Sequence, residues 1–479
     1  MNFANYLLFY KKKLKKKIFV NRDLTYQKLC ALINLYSKKF FHQKGIIYGL
    51  SLENNENFLV FYLSIIKSGN IVMLIEKGLS SERYEEVIQK YKLNFLITEY
   101  DNDYKEFTKE QISIKENISE EKIFFYKRKN FSFIKYKAGT ALILLTSGST
   151  GEKKAVMLSH QNLISNTDSI LKILPIDKKD IVNLLLPNSY SFGLSIINTH
   201  LKKGSSIYVH NSPFVGSIIK ELKKYRCTSF YGVPSTFEIL LEKTNFLKNK
   251  FPRLKYIAQA GGHLNKKFKL QILKKFKNKF FIMYGLTEAA PRLSFVPPSK
   301  LSKKIESIGI PIPGVKFKLF KYQKNFTQLG VKGKNIMTGY LNEKKMNKYF
   351  NQSYFLTGDL AIKDKDGFFY IIKRIDKTSK RFGYKINLPL MERIIEKNHL
   401  CKKCKFFLLE NNDLVLFIFF NEKKNNTTEN QMIIRKLLRS KFASYEIPST
   451  IYFLDNIEKS FSRKLNFDEM LSKFYLNKN

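Results

Sequence analysis

The strongest constraint on how this chain folds is a repeated alternation. Short apolar, β-branched runs are separated by longer stretches in which apolar residues recur at helical spacing. The clearest short runs are residues 141–145, 228–231, 254–258 and 280–283, and each leads into a segment holding Gly, Pro, Ser or Thr. Crossover units of this kind build mostly parallel sheets, and in such sheets ligands bind beyond the carboxyl ends of the strands. The four loops are therefore expected to converge on one site. After Ile371 the texture changes. A basic run over 373–385 with few apolar residues precedes a helical stretch over 388–396 and a very apolar strand over 414–420, with an exposed loop expected over 421–431. The fold class read from this pattern is α/β: a large N-terminal part over 1–375 with mixed and parallel sheets and flanking helices, then a smaller α+β domain over 376–479.

At 479 residues the chain is long enough for a sizeable core, and 44% hydrophobic against 26% charged residues places it among globular proteins. The 85 Lys and Arg outnumber the 40 Asp and Glu, for a net charge of +45. Such a field attracts polyanions, but the excess is Lys spread along a chain rich in Asn, Ile, Phe and Tyr and devoid of Trp, which is the signature of compositional drift. No helix-turn-helix, zinc-finger or RNA-recognition pattern accompanies the charge, so no specific nucleic acid is expected. Cys30, Cys227, Cys401 and Cys404 are too few and scattered for a disulfide framework. Cys401 and Cys404 lack the second pair that a tetrahedral zinc needs, and read as two half-buried thiols. Residues 1–10 are mildly apolar and the lysine run follows them, the reverse of a secretory signal. The longest apolar runs, 58–66 and 414–420, fall short of the ~20 residues a membrane-spanning helix needs. A cytoplasmic location without transmembrane segments is expected.

The most informative stretch is Leu144-Leu145-Thr146-Ser147-Gly148-Ser149-Thr150-Gly151-Glu152-Lys153-Lys154-Ala155-Val156. Backbone N–H groups at Gly148 and Gly151, hydroxyls of Thr146, Ser147, Ser149 and Thr150, and the cation of Lys154 can wrap a polyphosphate. The spacing is not that of a Walker A loop. It closely resembles the T-S-G-[ST]-T-G-x-P-K-G-V loop of the adenylate-forming superfamily, which includes acyl-CoA synthetases, peptide-synthetase adenylation domains and firefly luciferase. Lys153 and Ala155 stand where Pro and Gly are common. The remaining motifs follow in order. Gly261-Gly262 with Leu264 is similar to the segment beside the adenine, and Tyr284-Gly285-Leu286-Thr287-Glu288 resembles Y-G-x-T-E. In that motif the resemblance places Thr287 on the α-phosphate and makes Glu288 the Mg²⁺ ligand. Thr357-Gly358-Asp359 resembles T-G-D, with Asp359 on the ribose hydroxyls and Arg374 as the second ribose contact.

The same resemblance implies a large multi-subdomain N-terminal part and a small mobile C-terminal domain, with Asp376 at the hinge between them. Gly383, in Phe382-Gly383-Tyr384-Lys385, falls in the loop that enters the site for thiol attack. Residues 457–465 resemble P-x-T-x-x-G-K-[IL], making Lys464 the adenylation lysine. The implied activity is ATP-dependent conversion of a small-molecule carboxylic acid to an acyl-adenylate. The acyl group would then pass to CoA or to the phosphopantetheine of an acyl-carrier protein, with ATP and Mg²⁺ required. Charge develops on phosphoryl oxygens and pyrophosphate, so positioning and cationic stabilisation suffice without a protein nucleophile.

Tyr190 and Phe192 align with the acyl-pocket segment that relatives write P-x-x-H-x-F-G, Tyr190 replacing the His; both residues read equally well as core aromatics. The absence of an Asp that would pair an α-ammonium argues against a standard α-amino acid. The stretches 190–195 and 291–298 are similar to a branch associated with surface-polysaccharide biosynthesis, which would send the acyl group to an amino sugar or a carrier thiol. Departures from the pattern stand at Gln328, Lys373, Lys377 and Arg463, the last beside Lys464. A binding-only member with a decayed active site is the rival reading. The acid, the acceptor and the oligomeric state stay open at this point.

Overall fold

The computed structural model describes residues 1–454 except 41–43, 78, 80, 111–121, 132, 133, 135, 148–152, 211, 213, 324, 325, 376–378, 397–400, 402, 410, 411 and 421–426. Contacts divide the chain into two compact units, Met1–Lys385 and Ile386–Asn479. The sequence boundary at 375/376 and this one bracket residues 376–385.

Among the described residues the larger unit contains three main sheets. The eight-stranded sheet runs in the order Gly339–Tyr340, Lys153–Ser159, Thr140–Ser147, Ile71–Leu74, Ile47–Ser51, Phe95–Thr98, Phe124–Arg128 and Phe107–Glu110. Its centre is parallel, with Tyr48 opposite Val72 and Val72 opposite Leu142. The helix Glu56–Lys67 covers it and is buried along nearly its whole length, because FLVFYL is apolar on every face. Asn55 starts this helix by accepting from the Phe58 N–H at 3.0 Å.

The seven-stranded sheet runs Ile310–Pro311, Arg292–Val296, Phe280–Gly285, Tyr256–Gln259, Ser229–Gly232, Ile181–Leu184 and Ser206–Val209. The last five of these are parallel and almost wholly buried, as continuous apolar runs require when both faces are covered. The four apolar runs of the sequence thus divide between two sheets: 141–145 lies in the first, and the other three are adjacent in the second. Periodicity reports that a strand exists but not which sheet it joins; the expected mixed and parallel sheets are present, and the four runs divide between two of them. The third sheet has five strands and is antiparallel, with Tyr354–Lys363 between Phe326–Gly333 and Phe369–Arg374.

The smaller unit has a three-stranded sheet, Lys403–Leu408, Leu414–Phe419 and Thr450–Leu454, with helices Leu388–Glu396 and Thr428–Lys441. Ile386, Met391, Ile395, Leu416, Ile418, Ile434 and Leu438 form its core. The expected loop over 421–431 is too long, since the helix begins at Thr428. Thr427 caps it, accepting from the Asn430 N–H at 3.2 Å, so its polar first turn was mistaken for loop composition. Cys401 and Cys404 are fully buried rather than half-buried. No helix among the described residues is long and apolar enough to cross a membrane.

Candidate active site

The third sheet places a carboxylate and a guanidinium directly opposite each other. Asp359 and Arg374 are register partners, and Arg374 Nη1 donates to Asp359 Oδ1 at 2.8 Å. Gly358 has φ +77°, and a Cβ there would lie 3.1 Å from Arg374 Nη2, so a side chain would crowd the ion pair. From the end of Phe280–Gly285, Tyr284 donates its hydroxyl proton to Asp359 Oδ2. Thr357 Oγ1 accepts from the Asp359 N–H at 3.1 Å and itself donates to Leu329 O at 2.9 Å. Asp359 is buried, and among the described residues each of its oxygens has one side-chain donor, which leaves a lone pair for a further hydroxyl. The same contact raises the Tyr284 phenol well above its ordinary range, burial first and the Asp359 charge second.

Strand Phe280–Gly285 turns through the short helix Thr287–Ala289 into its antiparallel neighbour. Gly285 is required there, because a Cβ would lie 2.3 Å from Pro291 O. This turn presents Thr287 and Glu288. Thr287 Oγ1 lies 3.2 Å from Ser191 Oγ, and Tyr340 donates to Glu288 Oε1 at 2.8 Å. Tyr340 also forms a wall for Lys154, whose Nζ sits 5.1 Å from that ring and 4.8 Å from the Tyr349 ring. The Lys154 ammonium donates to the Tyr349 hydroxyl at 3.2 Å. Burial, then the Glu288 charge, hold the Tyr340 phenol far above its ordinary range, while the Arg374 charge acts in the opposite sense. Arg374 and Glu288 are therefore within electrostatic reach of one hydroxyl.

Lys154 leaves the hairpin formed by Thr140–Ser147 and Lys153–Ser159, where it is paired with Thr146. Thr146 and Ser147 end the first strand of that hairpin. Gly148, Ser149, Thr150 and Gly151 lie outside the described residues, as do Asp376 and Lys464.

A second wall is built on Tyr190. Gly261 has φ +90°, and a Cβ there would fall 2.7 Å from Tyr190 Oη and 3.0 Å from Val233 Cγ1. Gly383 has φ +87°, and its Cβ would meet the same two residues at 3.5 and 2.8 Å. Glycine is demanded at both positions by conformation and by space. The segment expected beside the adenine and the loop expected to admit the thiol thus face one tyrosine. Gly262 follows on the same segment, its carbonyl accepting from Gln259 Nε2 at 2.9 Å. Dense packing pushes the Tyr190 phenol up to about 12. Phe192, by contrast, belongs to the buried core, one residue into the helix Ser191–Lys203.

Sequence reasoning missed four participants: Ser191 on Thr287, Tyr340 on Glu288, Tyr349 under Lys154, and Arg292 over the Phe192 ring at 4.8 Å. Tyr340 is 52 residues from Glu288, and no local signal marks that pairing. Arg292 did carry a signal, since it is a lone cation opening the otherwise uncharged strand RLSFV. An apolar cavity of about 530 Å³ lined by Tyr48, Phe95, Phe125 and Phe131 contains none of these site residues.

A model of the family described as AMP-binding enzyme matches residues 10–341. A 4-coumarate–CoA ligase-like protein of Arabidopsis thaliana is 24% identical over 412 residues, covering 79% of this chain and 73% of its own length. A long-chain-fatty-acid–CoA ligase of Salmonella typhimurium is 30% identical over 248 residues, covering 49% of this chain and 44% of its own length. This chain therefore spans less than half of that relative. A solved structure of a double mutant of o-succinylbenzoate CoA synthetase from Bacillus subtilis superposes with a TM-score of 0.79 at 19% identity, covering 98% of both chains. At that identity the likeness is one of fold.

Proposed function

The chain belongs to the AMP-binding enzyme family, and on that premise we propose that it is an AMP-forming acid–thiol ligase. It activates a small-molecule carboxylic acid with ATP and then passes the acyl group to a thiol, CoA or a phosphopantetheine carrier. The observation that carries the reading is the buried Asp359, held by Tyr284 and Arg374 with lone pairs to spare, next to the turn that presents Thr287 and Glu288. A carboxylate fixed in this way holds two vicinal hydroxyls, and the adjoining turn lies where the phosphates of the same nucleotide would run.

In the first step a carboxylate oxygen of the acid bonds to the α-phosphorus as the α–β anhydride bond breaks and pyrophosphate departs. Thr287, its hydroxyl aligned by Ser191, donates to the α-phosphoryl group. Lys154 and the hydroxyls and N–H groups of Thr146, Ser147, Gly148, Ser149, Thr150 and Gly151 hold the β- and γ-phosphates, and Lys464 supplies the cation at the bond being made. Tyr340 occupies one oxygen of Glu288 and leaves the other for Mg²⁺. One carboxylate is the donor set expected for a cation that keeps water and phosphate ligands, and when bound it neutralises phosphate charge. Among the described residues no cluster of three or more His, Cys, Asp and Glu offers a richer metal cage. In the second step the thiol sulfur attacks the acyl carbon and AMP leaves. Gly383 and Gly261, both against Tyr190, favour a thiol approach past that ring, with Asp376 as the hinge that brings the loop in.

The reading is tested by incubating the full chain with ATP, Mg²⁺, CoA and an acid panel, and measuring AMP and acyl thioester by mass spectrometry. AMP formed in step with thioester is expected, and Lys464→Ala should lose it by at least on the order of 1,000-fold while still binding ATP. Undiminished turnover in Lys464→Ala would remove that residue from the chemistry. AMP without any thioester, appearing only when an amine is supplied, would move the acceptor to nitrogen.

A further inference from the structure

Lys154 is half-buried, and among the described residues neither it nor Glu288 takes part in an ion pair. The ammonium instead sits between two rings, 5.1 Å from the centroid of Tyr340 and 4.8 Å from that of Tyr349. The rings meet each other edge to face at 5.0 Å and 71°. Both distances from the ammonium fall within the reach of cation–π attraction. The two tyrosines arrive from different places. Tyr340 lies on the strand paired antiparallel with Lys153–Ser159, opposite Val156, and Tyr349 ends the short helix Met346–Tyr349.

The Tyr349 hydroxyl is oriented as well. An ammonium only donates, so Tyr349 accepts from Lys154 at 3.2 Å and sends its own proton elsewhere. That proton goes to Glu343 Oε2 at 3.1 Å. Glu343 is itself anchored, accepting from the Lys345 N–H at 3.0 Å on Oε1 and from Lys348 Nζ at 2.8 Å on Oε2. Lys348 first, and then the Lys345 N–H, hold the Glu343 carboxyl down at about 2, so it is ionised at neutral pH. The turn over 343–349 thus closes on one carboxylate and aims the phenol at Lys154. On the other side, Tyr340 offers its ring to Lys154 and its hydroxyl to Glu288. One side chain therefore contacts both the cation assigned to the phosphates and the carboxylate assigned to Mg²⁺. Direct pairing of those two would cancel the charge that each brings to the nucleotide. Ring faces attract a cation without neutralising it, so a phosphate takes it over more readily than it would from a carboxylate.

We propose that Tyr349 is a positioning residue which, together with the Tyr340 ring, keeps the Lys154 ammonium available to the β- and γ-phosphates and apart from Glu288. The proposal rests on the acid–ligase reading, in which Lys154 meets those phosphates. Tyr349 then acts only through Lys154, and only on a ligand that carries the β- and γ-phosphates.

The test is calorimetric binding of ATP and of AMP to the full chain at one fixed Mg²⁺ concentration. Tyr349→Leu, which loses ring and hydroxyl, should weaken ATP by about tenfold and AMP by less than about twofold. Tyr349→Phe, which keeps the ring, should weaken ATP by only about threefold. In a Lys154→Met background neither change should weaken ATP further, because the side chain through which Tyr349 acts is gone. If Tyr349→Leu fails to fold, Tyr349→Phe alone and with Lys154→Met decides. An equal loss for ATP and AMP would mark a merely structural role and overturn the proposal. So would unchanged ATP binding in both Tyr349 variants, or a loss that persists in full beside Lys154→Met. Each of these leaves the ligase reading standing, whereas failure of the unaltered chain to bind ATP overturns both.

Discussion

On the third sheet the buried carboxylate of Asp359 meets Tyr284 and Arg374, whereas in the core of the second sheet the buried guanidinium of Arg292 rests on the face of Phe192 and pairs with no carboxylate among the described residues. Both charges are set on strands by backbone bonds. They differ in how the charge is met: Asp359 is already neutralised and keeps spare lone pairs, and Arg292 has an aromatic face in place of a counterion. A charge of the first kind suits a ligand part that does not vary, the role proposed for it with the ribose, because preorganised partners lower the free energy lost in fixing it.

The comparison breaks most visibly at Asp359. Asp359→Ala removes two charge-assisted acceptors and should raise the KM for ATP by about 100-fold or more, near 3 kcal/mol. Steady-state kinetics at saturating acid would show it, and a KM within about threefold of wild type would detach the ribose from this corner. Tyr284→Phe removes a single hydroxyl donor and should cost only about 5- to 10-fold. Next in size is Tyr340→Phe. Freed from that hydroxyl, Glu288 loses its orientation, and kcat should fall about 5- to 10-fold at low Mg²⁺, with partial recovery as Mg²⁺ is raised. A loss that ignores Mg²⁺ would place Tyr340 elsewhere in the mechanism.

Gly261→Ala sharpens the acyl side. Its φ of +90° and the 2.7 Å approach to Tyr190 should destabilise the protein by about 1–2 kcal/mol. Gly262→Ala, whose Cβ would meet Pro234 Cγ at 3.1 Å and Cδ at 3.5 Å, should be milder. Denaturant midpoints of the two variants would settle the order, and equal midpoints would contradict the geometry.

The last effect is one of pH. His200 lies edge-on to Tyr231 at 6.1 Å, its Nδ1 2.8 Å from Ile196 O, and burial holds its pKa down at about 4. The unfolded chain takes up this proton below about pH 6.5 and the folded chain only near 4, so stability falls as pH drops through that window. The slope contributed is at most about 1.4 kcal/mol per pH unit. His200→Gln should flatten it between pH 6.5 and 5 in urea titrations, and an unchanged slope would assign the pH effect to other groups.

How much of this was legible in the sequence follows the same division. Strands such as Tyr256–Gln259 and Phe280–Gly285 announce themselves by apolar runs, and Asp359 and Arg374 were marked by the resemblance of Thr357-Gly358-Asp359 and the segment after it to a known family, so their positions were marked before their contacts were known. What stayed hidden was pairing at long range. Sequence spacing does not say that Tyr340 will reach Glu288, or that Thr140–Ser147 will join a different sheet from Ser229–Gly232. Nor could it say that Arg292 would be without an acid, because an unmet charge is a property of everything packed around it. The helix Thr428–Lys441 was misjudged at its start because a capping Thr and a polar first turn have the same composition as a loop.

The most direct measurement is carboxylate-dependent exchange of labelled pyrophosphate into ATP, run without any thiol or amine so that only the first step is read. The account predicts exchange that requires an acid and Mg²⁺ and disappears in Lys464→Ala. Measurable ATP binding with no exchange for any acid would contradict it and leave a nucleotide-binding protein that does not activate acids.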